Sequence, residues 1–224
     1  MQTPQPAPSP DPQSARTARQ TERQRMTTSP RDLTALLGSR ICHDLISPLG
    51  AISNGVELLA MSGMGNSPEM ALIAESVTNA NARIRFFRVA FGAAAEGQMI
   101  SAREIRDILH GMTAGSRFEV EWLIDEDTPR REAKLALLVI QCFETAMPWG
   151  GKVSVLRDGE TWTMSGVADR TKIEPDLWEV LSNPMSAHDV SAAQIQFLLA
   201  PLSAAEMGRK LTVLTSEQGA TFRF

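Results

Sequence analysis

Two long stretches of apolar residues at helical spacing constrain the first half of this 224-residue chain more than any other feature. In both stretches an apolar residue recurs every three or four positions, and in the second the spacing follows a heptad repeat, which forms a continuous apolar seam on one side of a helix. Between them, Ser67 and Pro68 form a favourable helix cap and first helical residue. The pattern predicts a helix from about Pro30 to Ser62, a second helix from Pro68, and an antiparallel hairpin. The two stripes are Leu37, Ile41, Leu45, Pro48, Ile52, Val56 and Leu59, then Ile73, Val77, Ala80, Ile84, Phe87, Phe91 and Ala94.

A hairpin of two helices cannot cover both of these stripes by itself. Each helix would leave half of its apolar seam in water, and pairing with a second copy is the simplest way to bury the remainder. The sequence therefore predicts a homodimer in which two hairpins form a four-helix bundle. The alternative is that part of the first seam packs on the C-terminal half of the same chain.

His43 lies on the opposite side of the first helix from the apolar seam. At about 100° per residue, its position is roughly 190° from the centre of the stripe. A lone histidine on a polar face is usually an ordinary surface residue, but small neighbours leave this one open to another protein. The residues that share its face are Arg40, Ser47, Gly50 and Asn54.

Asp44 and Pro48 are the two neighbours of His43 that bear on its reactivity. Pro48 has no N–H, so the carbonyl of Asp44 loses its helical partner, and the pattern predicts a kink at this turn. The Asp44 carboxylate offers an acceptor for a proton on one imidazole nitrogen, which leaves the other nitrogen as a nucleophile. His43 with Asp44 is therefore the predicted catalytic pair.

Composition excludes several classes of function. The net charge of −4 gives no field that favours nucleic acid, and no apolar run approaches the length needed to span a membrane. Cys42 and Cys142 do not form a disulfide framework or a metal-binding pattern, so we expect a cytoplasmic protein without its own metal site. Residues 1–29, rich in proline and polar residues, are predicted to be a disordered tail.

From residue 97 onward, short helical and alternating patterns follow one another. The segment 157–160 between two alternating runs is a hairpin signal. The order predicts a two-layer α/β sandwich, against whose sheet the four tryptophans are expected to pack. The fold class is therefore α+β, with a tail at 1–29, a hairpin domain at 30–96 and a sandwich domain at 97–224. The predicted helices are 101–112, 129–147, 175–181 and 191–207, and the strands are 117–124, 152–156, 161–167, 210–215 and 220–224.

The sequence His43-Asp44-x-x-x-Pro48-Leu49 resembles the phosphoacceptor box of the histidine kinase dimerisation domain. A helical hairpin followed by an α/β sandwich is also the layout of a histidine kinase catalytic core. The resemblance spans about residues 30–224. It implies that His43 carries a phosphoryl group, that the hairpin dimerises, and that the C-terminal half has the Bergerat-type, ATPase-like fold.

The three nucleotide-binding segments of that family are altered here. Thr145 stands where the family has an asparagine that holds Mg²⁺, in the helix segment 141–146. The adenine-binding loop is 169–173, which keeps Asp169 but neither glycine, and the second glycine-rich segment is 191–196 without glycine. The departures predict that the protein uses no ATP and no other cofactor.

A hairpin with a phosphoacceptor histidine beside a degenerate ATPase domain resembles the ChpT family of histidine phosphotransferases. The resemblance implies phosphoryl relay between the receiver domain of a hybrid histidine kinase and downstream response regulators. The receiver would supply Mg²⁺. We expect receivers to contact the helix face that carries His43, together with basic residues of the second helix. The alternative for these basic residues is that they form an ordinary solvated surface. The predicted contact residues are Arg40, Ser47, Gly50, Asn54, Arg83, Arg85 and Arg88.

Three alternatives remain open at this point. The chain could be an active histidine kinase with unusual nucleotide segments, which would bind ATP. It could be a dimeric adaptor that binds receivers without transferring phosphate, in which case His43 would be dispensable. It could also be an anti-sigma-type protein with a related sandwich, which would not need the histidine-bearing hairpin.

Overall fold

A computed structural model describes residues 30–61, 67–184 and 190–224. The predicted tail at 1–29 lies outside the described residues. Two long helices come first, α1 (Pro30–Met61) and α2 (Pro68–Ala90). Ser67 caps α2, because its hydroxyl accepts a hydrogen bond from the Met70 amide at 3.3 Å, and Pro68 occupies the first helical position. The prediction of two helices with this start for the second is confirmed.

The end of α2 differs from the heptad prediction. The helix ends at Ala90, with Phe91 as its C-terminal cap, so Ala94 lies beyond the helix. Phe86, Val89 and Ala90 are fully buried, although none of the three belongs to the predicted seam. They are buried because this face of α2 packs against helices of the C-terminal half. The helix α2 therefore has two apolar faces, and the heptad pattern predicted only one of them.

Helix α1 has a buried face toward α2 and an exposed apolar face. Cys42 is only 7 % exposed, and a Cβ built on Gly38 would lie 3.2 Å from the carbonyl oxygen of Phe91. Ile41, Leu45 and Ile52 of the predicted seam are 50 %, 46 % and 50 % exposed. Because these three side chains are largely exposed in the single chain, the alternative that the seam packs on the C-terminal half does not apply to them.

The C-terminal half alternates helices and strands. Thr128 and Pro129, predicted as the entrance to a helix, instead pair with Met99 and Ile100 in a two-stranded ladder. Gly159 has a φ of +57°, as the tight turn predicted at residues 157–160 requires. The elements are β1 (Met99–Ile100), α3 (Ala102–Thr113), β2 (Phe118–Trp122), β3 (Thr128–Pro129), α4 (Arg130–Ala146), β4 (Gly151–Asp158), β5 (Thr161–Val167), α5 (Pro175–Ser182), α6 (Gln196–Glu206), β6 (Thr212–Ser216) and β7 (Gly219–Arg223).

The main sheet has five strands in the order β2-β4-β5-β7-β6. Strand β2 runs parallel to β4, with Phe118 opposite Gly151, and the other pairs are antiparallel. Burial alternates along the strands, so that Val153 and Val155 of β4 are fully buried while Lys152 is exposed. One face of the sheet is thus covered by helices, which confirms the predicted two-layer α/β sandwich, and its sheet is mixed.

The predicted helix at 191–207 is wrong in its first turn. Ala192–Gln194 form a 3₁₀ turn, and α6 begins only at Gln196. The main-chain amide of Ser191 donates to the Gln194 side-chain oxygen at 3.3 Å, which closes this turn on itself before the α-helix starts. The final strand, β7, begins at Gly219, one residue before the predicted start at Ala220.

One continuous hydrophobic core joins the end of α2 to the sandwich. It contains Phe86 and Val89 of α2 together with Leu109 of α3 and Leu138 of α4. The division of the chain at residues 96 and 97 stays a prediction, and the shared core shows that the two halves are packed together. None of the helices in the described ranges combines the length and the apolar character needed to cross a bilayer.

Candidate functional site

The predicted phosphoacceptor turn lies in the first half of α1. Arg40, His43, Asp44 and Ser47 belong to this helix, and the structure describes their helical backbone but not their side chains. The helix continues without a break through Pro48. Gly50 is half-buried, and no heavy atom lies within 4 Å of a Cβ built on it, so the surface beside it is open. Asn54 is exposed.

The thiol of Cys42, immediately before His43, has a shifted pKa. Burial raises the pKa of its thiol, and the positive charge of Arg88 lowers it by a smaller effect. The end of α2 lies against this part of α1, because a Cβ built on Gly38, one turn before Cys42, would be 3.2 Å from the carbonyl oxygen of Phe91. Arg88, one turn before Phe91, is a predicted contact residue on this stretch of α2.

The other predicted arginines of α2 have different surroundings. Arg83 pairs with Glu144 of α4 at 3.3 Å, and Arg88 pairs with Glu104 of α3 at 3.7 Å. Arg85 is exposed and has no ion pair with any described side chain. The structure does not gather the three arginines on one face, because two of them connect the hairpin to the C-terminal half.

Helix α4 carries Thr145, which the sequence resemblance predicts to stand at a Mg²⁺-binding position of histidine kinases. There the Thr145 hydroxyl donates to the carbonyl of Gln141 at 3.0 Å and accepts a hydrogen bond from the side-chain amide of Gln196 at 3.1 Å. Gln196 is only 4 % exposed. The buried amide thus ties α6 to α4 at the predicted nucleotide segment, a contact that sequence reasoning missed because the two residues are distant in the chain.

The loop that corresponds to the adenine-binding segment folds back on α4. The main-chain amide of Lys172 donates to the carbonyl of Ala146 at 2.7 Å, and the Thr171 hydroxyl donates to the carbonyl of Glu217 at 3.1 Å. The first bond attaches the loop to the end of α4, and the second attaches it to the turn before β7. The loop is therefore fixed by the protein's own main chain.

Asp169 lies in an open groove at one end of the sheet. The groove has a volume of about 730 Å³ and is also lined by Arg117, Lys152 and Trp149. The guanidinium of Arg170 stacks 3.9 Å from the centre of the Trp149 ring. Trp149 is 46 % exposed, so the expectation that all four tryptophans pack against the sheet is wrong for this one.

Metal ligation has no candidate among the side chains that the structure describes. In this part of the chain, no three His, Cys, Asp or Glu side chains come together as ligands of an ion. His110 is exposed at the end of α3.

The fold and the predicted site define an α+β protein that joins a helical hairpin with a His-Asp pair to a five-stranded sandwich. The family model described as "Histidine phosphotransferase C-terminal domain" matches residues 102–219, which is more than half of the chain. The chain therefore belongs to the histidine phosphotransferase family.

Two relatives cover nearly the whole of this chain. Protein phosphotransferase ChpT of Brucella abortus (strain 2308) is 32 % identical over 207 residues, which are 88 % of this chain and 97 % of the relative. A solved structure of a bacterial phosphotransferase is 32 % identical and has a TM-score of 0.65, covering 88 % of this chain and 98 % of the other. The similarity includes the hairpin as well as the matched C-terminal region.

Proposed function

We propose that this protein is a histidine phosphotransferase that relays a phosphoryl group between receiver domains through His43, without using ATP. The observation that carries the proposal is the 32 % identity to a protein phosphotransferase over 88 % of the chain. That range includes the helix in which the sequence places His43 next to Asp44. We propose that the donor is the receiver domain of a hybrid histidine kinase and that response regulators are the acceptors.

In the proposed reaction, a ring nitrogen of His43 attacks the phosphorus of an aspartyl phosphate on the donor receiver. The nitrogen–phosphorus bond forms while the bond from phosphorus to the aspartate oxygen breaks, and the carboxylate leaves with the electron pair. The same step in reverse loads the acceptor. Because the transition state of phosphoryl transfer is loose, catalysis depends mainly on alignment and on neutralisation of charge.

Asp44 is proposed to hold the proton on the other ring nitrogen of His43. A carboxylate that accepts this hydrogen bond fixes the tautomer and favours the lone pair on the attacking nitrogen. The Mg²⁺ that assists transfer is assigned to the receiver. Gly50 and Asn54 are proposed to meet the receiver, a role consistent with the open space beside Gly50.

The contacts of the C-terminal half support independence from ATP. A nucleotide site needs a Mg²⁺ ligand and main chain that can approach phosphates. At the corresponding positions Thr145 is engaged by Gln196, and Lys172 is bonded to the end of α4. Trp178 of α5 is also buried, with its ring 5.8 Å from that of Phe197. The protein's own side chains therefore occupy the region between α4, α5 and α6.

The exposed seam of the hairpin supports the proposed homodimer. Apolar side chains of both helices remain in water in the single chain, and their area is best buried against a second copy of the same hairpin. The exposed apolar residues of this surface, which we call the hairpin seam, are Ile41, Leu45, Ile52, Leu58, Leu59, Met61, Leu72 and Ile73.

The proposal is tested by following radioactive phosphate. Purified protein is incubated with Mg²⁺ and with receiver domains from the same genome that have been labelled by ³²P-acetyl phosphate, and separately with [γ-³²P]ATP. We expect acid-labile label from at least one receiver, none from ATP, and none in His43→Gln.

The other outcomes identify the alternatives. Label from ATP alone would indicate an active kinase and would contradict the assignment of the nucleotide segments. If no receiver donates label but one still binds, and His43→Gln binds it equally well, the protein is an adaptor.

A further inference from the structure

The last turn of α2 and the residues after it are held by cations of α4. Arg130 donates through its guanidinium to the carbonyl of Arg88 at 3.1 Å. Lys134 donates through its ammonium to the carbonyl of Gly92 at 2.9 Å, and Arg131 donates to the carbonyl of Ala94 at 3.3 Å. We call Arg130, Arg131 and Lys134 the α2 clamp.

The positive charges of the α2 clamp lie in the first turns of α4, where they do not stabilise that helix. Arg130 and Arg131 begin this helix, where the positive end of the helix dipole disfavours cations. The same charges are favourable at the end of α2, whose free carbonyl groups carry partial negative charge. The placement of these cations is therefore explained by their contacts with α2 and not by the stability of α4.

Lys134 is held in its contact with α2 although burial disfavours its charge. Burial lowers the pKa of its ammonium, while the charge of Glu206 opposes this effect. A long cationic side chain normally keeps its charge in water. Here the ammonium is partly buried and donates to the Gly92 carbonyl, so the segment after α2 is fixed at a specific point on α4.

The clamp determines the surroundings of Arg88. Arg130 binds its main-chain carbonyl, and Glu104 of α3 pairs with its guanidinium at 3.7 Å. Val89, the next residue, is fully buried in the core shared with the C-terminal half. Phe91, one turn after Arg88, lies against α1, because a Cβ built on Gly38 would be 3.2 Å from the Phe91 carbonyl oxygen. Since α2 returns along α1, Arg88 comes close to the level of Cys42, one turn after Gly38, and its charge lowers the pKa of the Cys42 thiol against the larger effect of burial. The C-terminal half thus fixes a cation beside the turn that precedes His43.

We propose that the α2 clamp is a positioning device for phosphotransfer, in which Arg130, Arg131 and Lys134 hold Arg88 beside the phosphoacceptor turn. This inference rests on the phosphotransfer function proposed above. A cation at this place neutralises the charge of the phosphoryl group as it passes between the receiver and His43. The C-terminal half then contributes to transfer through its attachment to α2 and not through a nucleotide.

The test is a double-mutant cycle between Lys134→Met and Arg88→Gln in the full-length protein. Transfer from a ³²P-labelled receiver is measured at several receiver concentrations, to separate the maximal rate from the half-saturating concentration. We expect each single variant to lower the maximal rate by about tenfold, as small misplacements of catalytic charges do. In the Arg88→Gln background, Lys134→Met should cause no further loss.

Three further variants complete the experiment. Lys134→Arg keeps the cation and should recover most of the maximal rate, and Arg131→Gln, which changes an exposed side chain, covers the case in which Lys134→Met does not fold. The matched control is Arg103→Gln, since the Arg103 side chain is 91 % exposed on α3 and forms an ion pair with Asp107 of the same helix. It should transfer at the wild-type rate.

Amide hydrogen exchange provides a readout that does not depend on transfer. We expect faster exchange in residues 86–98 of Lys134→Met and unchanged exchange in the control variant. The inference is overturned if the two losses multiply in the double variant, if Arg88→Gln transfers normally, or if exchange does not change. Failure of the proposed function is distinguishable, because then wild-type protein accepts no label from any receiver.

Discussion

The side-chain amide of Gln196 donates a hydrogen bond to the hydroxyl of Thr145 at 3.1 Å, and this bond joins α6 to α4 within the core of the sandwich. In the proposed function, Thr145 stands where the resemblance to histidine kinases leads us to expect a metal-binding asparagine. The amide of Gln196 is buried, so we expect this bond to contribute to the stability of the fold.

Replacing Gln196 tests this structural role. Gln196→Ala removes a buried hydrogen bond and leaves a small cavity, so we expect the free energy of unfolding to fall by about 1–3 kcal/mol. Urea denaturation followed by tryptophan fluorescence measures the change. Gln218→Ala, at an exposed position, is the matched control and should change stability by less than about 0.5 kcal/mol. Equal effects in the two variants would contradict the proposed contribution of the buried amide.

Two glycines of α1 are expected to respond differently to the same substitution. A Cβ on Gly38 would approach the Phe91 carbonyl oxygen to 3.2 Å, whereas a Cβ on Gly55 meets nothing within 4 Å. Alanine favours a helix over glycine, so Gly55→Ala should raise the free energy of unfolding by about 0.5–1 kcal/mol. Gly38→Ala should lower it by about 1 kcal/mol, because crowding separates α1 from the end of α2.

Thermal or urea denaturation of the two glycine variants measures this difference. The close approach at Gly38 would be unimportant if both variants gained the same stability. Because Gly38 lies against the clamped end of α2 and precedes the turn of His43 on α1, Gly38→Ala is also expected to slow phosphoryl transfer. Gly55→Ala should leave the transfer rate unchanged.

The hairpin seam makes a prediction about oligomeric state. Ile52 is 50 % exposed in the single chain, and a carboxylate at this position would have to be buried in the proposed four-helix bundle. We therefore expect Ile52→Glu to be monomeric at concentrations at which the wild-type protein is dimeric. Analytical ultracentrifugation measures the mass of both proteins.

The control for the seam is an equally apolar residue elsewhere. Leu214 of β6 is 69 % exposed, so Leu214→Glu introduces the same charge far from the hairpin and should leave the dimer intact. A monomeric wild-type protein, or a dimer that tolerates Ile52→Glu, would show that the seam is not the interface.

Local patterns were sufficient to predict most elements of the fold. The cap of α2 at Ser67 and the turn at Gly159 depend on residues within a few positions of one another, and both are present as predicted. The start of α6 was misplaced for a local reason as well. Ser191 and Gln194 close a turn of their own, which helical periodicity does not reveal.

The contacts between the halves could not be predicted in the same way. Lys134 and Gly92, or Gln196 and Thr145, are distant in the chain, and only the packing of helices brings them together. Arg83 and Arg88 carried a visible basic pattern, but the pattern does not state that acidic residues of α3 and α4 pair with them. The second buried face of α2 was missed for the same reason, because its partners come from the sandwich.

The two thiols predict how stability depends on alkaline pH. Burial raises the pKa of Cys142 well above the usual value near 9.0, and burial also raises the pKa of Cys42 against the smaller effect of Arg88. In the unfolded chain both thiols lose their protons near pH 9, while in the folded protein they keep them. Their contribution is therefore fully present below pH 9 and is lost as the pH rises, by at most about 1.4 kcal/mol per pH unit for each thiol.

Urea denaturation at pH 7.5 and pH 10 measures this loss in wild-type protein, Cys142→Ala and Cys42→Ala. Cys142→Ala is expected to be less stable at pH 7.5, because a buried side chain is shortened, but to lose less stability on going to pH 10. Lys134 has a lowered pKa and acts in the opposite direction, raising stability between its folded pKa and about 10.5, but it is common to all three proteins. If all three lost the same free energy between the two pH values, the thiols would not be the groups that titrate.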